Sequence, residues 1–483
     1  MRSDVELAAA LLAYDRKQAQ RIASHRRVVV PPQALIFCPI SMAGEDSTIH
    51  AVAIGRPRST EPGIYWTPDP RRRRDAYELY SKIGSGMDHY FADCRSLGIA
   101  PQLWVQTPAA VALIEMLAEG LRLLPSTMDP IEFASVWKFG RQLAYFAERS
   151  PIAGQQAIHS ATSVLRTHYA TGQLASDDAL LGSMLQWVRG FNTVQQLHDA
   201  ERQPLGIHPS PEFDADRLAI LVANHVRLRK EGANSASLHG ATAALEAALT
   251  EAVLPIYAAI REATEILTAV DWPPLPGLSE LTRIENESFV EWYDYKYAIS
   301  EQFPIHGSSE QAIYEIEYRE WAEENYRAAL TIGDNLQRAI GRRTGHVLRA
   351  TVLSTTQVDF NLRRVEVVTD QAEVRVRAGD RWFWIDQTDL EFSVAEDPVS
   401  ADHRTSLVFQ VAGLLNPDVS LRAGTVAEFV EKVPDWKAWR SRIQGRIANR
   451  LQFPRPWTLD ASDWDYRDVL PPWSAAEPPG NPL

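Results

Sequence analysis

The chain has 483 residues, 45% of them apolar and 23% charged, which is the composition of a soluble globular protein with room for roughly two to four domains and a large core. Its formal charge of −13, from 49 basic and 62 acidic residues, argues against a surface that binds nucleic acid all over, while leaving room for local basic patches. No run of about eighteen apolar residues occurs, so no membrane span is expected, and the early acids and helical spacing of MRSDVELAAALLAYDRKQAQR do not read as a secretory signal.

Residues 1–32 read as one amphipathic helix over 1–25, with Val5, Ala8, Leu12 and Ala19 on one face, and a connector closed by Pro31-Pro32. Residues 33–125 alternate strand and helix, with strands at 34–40, 49–55 and 101–106. A helix over 75–95 repeats Ala76, Tyr80, Ile83, Met87, Tyr90 and Cys94 at helical spacing. Gly84-Ser85-Gly86 lies inside it, is too short to cradle a phosphate, and reads as helix packing or a kink. A second helix over 108–123 has Thr107 as its cap and Pro108 in its first turn. Its buried side carries Leu113, Ile114, Leu117 and Leu121. Cys38 and Cys94, both in apolar settings, read as small core residues of a protein in a reducing cytoplasm.

Residues 126–344 read as a helical domain. Thr127-Met128-Asp129-Pro130 opens a helix ending at Ser150-Pro151, a second follows over 152–171, and Ser176-Asp177-Asp178 caps a third. Further helices are expected over 214–231 and 236–270. The breaker DWPPLPG precedes two more, over 280–304 and 308–340. Those two carry an aromatic stripe (Phe289, Trp292, Tyr293, Tyr295 and Tyr297, then Tyr314, Tyr318, Trp321 and Tyr326). Such a stripe suits base stacking but reads first as core or interface.

Residues 345–430 switch to a period of two, with strands in HVLRATVLST, RRVEVVTD, AEVRVRAGDRWFWI, LEFSVAED and SLVFQVAG. Arg375 and Arg377 alternate with Val374 and Val376, so one face is wet and one buried. Strands of this kind suggest a small closed or half-closed, OB-like barrel. Residues 431–483 add an amphipathic helix and a tail with five prolines in its last thirteen residues. The fold class expected is therefore α+β and mostly helical: a small N-terminal α/β layer, a large central helical domain and a C-terminal barrel.

The common catalytic signatures are missing: no phosphate-binding G-x-x-x-x-G-K-[ST] loop, no G-x-S-x-G elbow and no H-E-x-x-H. No cofactor and no metal site are expected. His159 and His168 do not share a helix face at ligand spacing and read as satisfied side chains. Carboxylates near the first hairpin are limited to Glu45 and Asp46 in its turn, with Asp88 on the following helix, away from the buried stripe. Asp460, Asp463, Asp465 and Asp468 read as a solvated acidic face. The basic segments are more suggestive. Arg71, Arg72, Arg73 and Arg74 precede a helix, where arginine opposes the dipole, so electrostatics offer no folding reason for the run. It suits phosphates or an acidic partner. Arg338, Arg342 and Arg343 sit at the entry to the barrel. Arg442, Arg446 and Arg450 line one face of the C-terminal helix beside Arg440, Trp436 and Trp439, a candidate nucleic-acid or partner contact.

The segment ALIFCPISMAGEDSTIHAVAIG (34–55), with the helix–strand–helix after it and the pattern PQLWVQTPAAVALIEMLAE (101–119), resembles the opening of a ribonuclease-H-type exonuclease fold. The order of such a segment, a helical block and a barrel is similar to the region ahead of the motor in bacterial RecB-type nuclease and superfamily 1 helicase proteins, over about 34–125 and 310–395. Enzymes of that kind carry an Asp-x-Glu pair on the first strand to hold two metal ions; this chain has Cys38 and Ile40 there. The resemblance thus implies a non-catalytic accessory or scaffold subunit of a bacterial nucleic-acid-processing complex. Its partners would be a helicase or nuclease subunit and DNA, with no membrane, and an anti-phage defence system would be one setting. Two other readings stay open: a divergent metal-dependent nuclease using Glu45, Asp46 and Asp88, and a phage-related structural assembly protein.

Overall fold

The computed structural model describes residues 4–441 apart from 43, 45–46, 123–129, 175, 177–178, 211–212, 270, 298–308, 360–361, 402, 413–420 and 439–440. The first helix, α1 (Asp4–Arg16), is shorter than its apolar spacing suggests. Lys17 takes a φ of 53° and ends it, and the chain turns into β1 (Gln20–Arg21).

β2 (Leu35–Ile40) is apolar and buried at every position, as a strand covered on both faces must be. With β3 (Ala51–Gly55) and β4 (Gly63–Trp66) it forms an antiparallel meander. α2 (Arg73–Leu97) then returns the chain to β5 (Leu103–Val105), parallel to β2. α3 (Pro108–Arg122) and α4 (Pro130–Arg149) lead to β6 (Ile158–Ser160), parallel to β5. The order is β4-β3-β2-β5-β6, a mixed sheet with two strands more than the sequence pattern suggests. The helix expected over 152–171 is in fact β6, α5 (Ala161–His168) and β7 (Tyr169–Ala170), the last pairing with β1. Ser160 ends the strand and caps α5 by accepting the Ser163 N–H. A strand of three residues leaves no period to read.

Both faces of the sheet are covered. Leu35, Phe37, Val52, Leu103 and Val105 pack against α2, α3 and α4. Gly84 reads as packing: a Cβ there would stand 2.9 Å from that of Phe139 on α4. Ile36, Cys38, Ile40 and Trp104 face the other way, onto α5 and the helices that follow. These are α6 (Leu181–Arg189), α7 (Val194–Glu201), α8 (Ala219–Lys230, entered through a π-helical turn, Phe213–Leu218) and α9 (Ser235–Ala269). α9 is the one helix among the described residues long and apolar enough to cross a membrane, and 44% of that stretch is buried inside the protein.

α10 (Leu278–Trp292) carries much of the aromatic stripe into the core. Phe289, Trp292 and Tyr297 surround Phe91 of α2, with ring centroids 5.7–6.0 Å from it. The helix expected over 308–340 is two, α11 (Ser309–Gly333) and α12 (Asn335–Thr344). Asp334 separates them, its carboxylate accepting the Leu336 N–H at 2.9 Å.

The C-terminal strands are β8 (Val347–Asp359), β9 (Leu362–Thr369), β10 (Arg381–Trp384), β11 (Gln387–Val394), β12 (Val399–Ala401), β13 (Arg404–Ala412) and β14 (Val426–Val430). Six close into an antiparallel barrel, β8-β9-β13-β11-β10-β14 and back to β8, with β12 on the side of β13. Phe392, Phe409 and Phe429 fill it. One expected strand is corrected. Residues 373–377 join no ladder, although Val376 is buried and Arg375 and Arg377 are exposed as their alternation requires. Pairing resumes at Arg381, after a turn in which Gly379 has a φ of 87°. About half of the residues are helical, less than the sequence pattern suggests, because the barrel and the N-terminal sheet both take more chain.

Candidate functional site: the carboxyl end of the sheet

β2, β4, β5 and β6 all run the same way, so their carboxyl ends gather Ser41, Thr67, Gln106 and Ser160 on one rim, with His50 before β3 beside them. The chain order reverses between β2 and β5, and open α/β sheets take ligands in the crevice at such a point. Here the protein's own chain fills it. The Gln106 side-chain amide donates to Pro39 O at 2.8 Å and to Gly206 O at 3.4 Å. The Ser41 N–H donates to Ile207 O at 2.7 Å. The Thr162 hydroxyl closes the far side by donating to Gln106 O at 2.7 Å. Gln106 is fully buried.

Cys38 and Ile40, where the resembled enzymes carry acids, are equally closed in. Both lie in the apolar layer between the sheet and α9. Burial pushes the Cys38 thiol well above its ordinary range. Of the three carboxylates named for a metal site, Glu45 and Asp46 lie outside the described residues. Asp88 ties helices together: it accepts the Tyr297 hydroxyl at 2.7 Å and pairs with Lys138 at 3.1 Å. Among the described residues no group of three His, Cys, Asp or Glu side chains is placed to hold a metal ion.

Comparison with protein families, curated proteins and solved structures finds no match to this chain.

The arginine run lies on this same rim and has folding partners that its sequence does not show. Arg72 pairs at 3.2 Å with Asp75, a buried acid in the first turn of α2. Arg229 from α8 reaches the same carboxylate at 2.6 Å. Arg74 lies 3.5 Å from Glu78, and Arg73 sits over the Tyr77 ring. The Arg71 N–H donates to Asp69. The expectation that electrostatics give the run no folding role is therefore corrected: Asp75 draws Arg72 and Arg229 together, while all four arginines keep exposed surface.

Arg338 and Arg342 of α12 both engage Glu428 of β14, so they fasten the helix to the barrel, and Arg343 of the same turn is partnered as well. Replacing Glu428 with Ala is expected to lower stability by about 1 kcal/mol, read as a shifted urea midpoint; an unchanged midpoint would mean that the junction is held by other contacts. Trp436 packs over Gly277, where φ is 83° and a Cβ would meet its ring, and against Leu281 and Ile284. Trp439, Arg442, Arg446 and Arg450 lie outside the described residues.

His50, His159 and His168 are core residues. His168 is fully buried; its Nε2 accepts the Arg27 N–H at 3.2 Å and its Nδ1–H donates to Val164 O at 2.8 Å. His159 lies against Trp104, ring centroids 5.0 Å apart, and its Nε2 has no partner among the described residues. Burial holds His50 and His168 down to about 4 and His159 to about 3.

One feature of this layer escapes the sequence pattern. A groove of about 520 Å³ runs along the outer edge of β6. One wall is a single face of α3 (Pro108, Val111, Ala112, Glu115) and the other the cap and a single face of α5 (Ser160, then Ser163, Val164, Thr167). Both sets repeat at three and four. Only the recognition of β6 as a strand between them would have joined the two.

Proposed function

We propose that residues 34–125 form a degenerate ribonuclease-H-type layer, and that the chain is a non-catalytic scaffold subunit of a bacterial nucleic-acid-processing complex, working beside a separate helicase or nuclease. What supports the layer assignment is its order: an antiparallel hairpin, then helix, parallel strand and helix. The observation that carries the non-catalytic reading is the filled switch point. Gly206 and Ile207 occupy the crevice through Gln106 and Ser41, and the two strand positions that would bear acids are packed under α9. Two carboxylates placed there would be desolvated in an apolar layer, at a cost of several kcal/mol each.

The purified chain is expected to leave single- and double-stranded DNA and RNA intact in Mg²⁺ or Mn²⁺, and to co-purify with a motor or nuclease from its host. Degradation of single-stranded DNA in Mn²⁺, abolished by Asp46→Ala, would establish the opposite reading. A monomer that ignores both DNA and co-expressed neighbours would remove the scaffold reading.

A further inference from the structure

We propose that the groove beside β6 receives an extended segment of a partner protein, which joins the sheet as an added strand and presents a lysine or arginine to Glu115. This deepens the scaffold reading, and rests on it for the existence of a partner.

The floor of the groove is a sheet edge. β5 uses one side of β6, with the Leu103 N–H bonded to Ala157 O at 2.8 Å. Main-chain groups alternate in direction along a strand, so those of Ile158 point outward. There the protein supplies its own substitute for a neighbour. The side-chain amide of Gln155 accepts the Ile158 N–H at 2.9 Å and donates to Ile158 O at 2.6 Å. That is the donor–acceptor pair a flanking strand offers. Open edges are commonly guarded against unwanted pairing, and here a side-chain amide covers the edge. A glutamine side chain can rotate away, and an incoming main chain restores both Ile158 bonds; the exchange gives up one further bond, from the Ala157 N–H to the same Gln155 oxygen at 2.7 Å.

The walls suit a strand better than a compact ligand. α3 covers one face of the sheet and α5 the other, so the groove continues the plane of the sheet between two helices. At about 3.3 Å per residue, the three residues of β6 match roughly three to five residues of peptide. Alternate peptide side chains would meet Val111 and Ala112 on one wall and Ser163 and Thr167 on the other, the usual division of labour in strand addition.

Charge decides the preferred sequence. Glu115 is half-buried on the α3 wall. It accepts the Ser150 hydroxyl at 2.5 Å and has no cationic partner among the described residues. Arg27, the cation lining the groove, is committed to the buried Asp334 at 2.7 Å. The site therefore lacks a positive charge on the α3 side, which an apolar, β-branched segment carrying one basic residue would supply.

Random nonapeptides displayed on phage, panned on the full-length chain, test this. Enrichment of alternating β-branched sequences with one Lys or Arg is expected, and the selected peptide, added free, should slow hydrogen exchange over 156–160. Ala112→Trp, an exposed wall position filled by an indole, should weaken that peptide at least tenfold. Glu115→Lys should weaken it similarly and strengthen a counterpart with Glu in place of its basic residue. No enrichment, protection elsewhere, or binding by both variants as tight as by the parent chain would overturn the proposal. Should Ala112→Trp fail to fold, the exchange of preference in Glu115→Lys decides alone. Neither nucleic acid nor a motor enters these measurements, so failure here and failure of the scaffold reading are separate results.

Discussion

Acidification from pH 7 to about 4.5 is expected to remove on the order of 8 kcal/mol of folding stability, enough to unfold a protein of ordinary stability. The cause is three buried imidazoles. His50 and His168 are held down to about 4 and His159 to about 3, each chiefly by burial, whereas in the unfolded chain each titrates near 6.5. Between those values the unfolded state binds more protons than the folded one, so stability falls as pH falls. The contribution is fully present above pH 6.5 and is lost progressively toward pH 4. Each group contributes a slope of up to about 1.4 kcal/mol per pH unit in that window. Urea titrations at half-unit steps would trace it. His159→Phe is the discriminating variant. It keeps a flat ring against Trp104 and removes a buried nitrogen that lacks a partner, so the slope should fall by about a third while stability at pH 7 changes little. A stability curve that stays level from pH 6.5 to 4.5 would refute the account.

Asp334→Ala should cost about 4 kcal/mol. The carboxylate is fully buried and does two things at once. One oxygen takes the Arg27 guanidinium at 2.7 Å, 307 positions away in sequence, and the other caps α12 through the Leu336 N–H. Removing it strands a buried cation, which typically costs about 3–5 kcal/mol, and releases a helix cap worth about 1 kcal/mol. Asp334→Asn keeps the cap and should fall between. The double change Arg27→Met with Asp334→Ala should recover much of the loss, because the stranded charge goes with its partner. Urea denaturation of the parent, Arg27→Met, Asp334→Ala and the double variant forms the cycle, and a single Asp334→Ala within 1 kcal/mol of the parent would show that water or another group takes the role of the carboxylate.

Much of the molecule is legible in local pattern. The all-apolar run at 35–40, the helical repeats of α2 and α3 and the alternation in β8, β11 and β13 each describe burial on one or two faces. Neighbouring residues are enough to announce that. Cys38 and Cys94 are core residues as their settings suggest, and the stripe around Phe289 goes inward. The candidate site was less readable. The crevice is filled by Gly206 and Ile207, which belong to a polar loop with no period. The groove depends on β6, three residues long and lodged between a turn and a helix.

Taken alone, the chain thus settled which segments are apolar, where most helices begin and that the C-terminal part is built of strands, because periodicity is a local consequence of facing a core. Partnership was decided by the fold. Asp75 meets Arg229 across 154 positions, Arg27 meets Asp334, Trp436 covers Gly277, and β14 closes the barrel against β8. A charge or an edge strand carries no mark of its distant partner. Only chain packing brings the two within a few ångströms, where desolvation and hydrogen bonding fix what each can do.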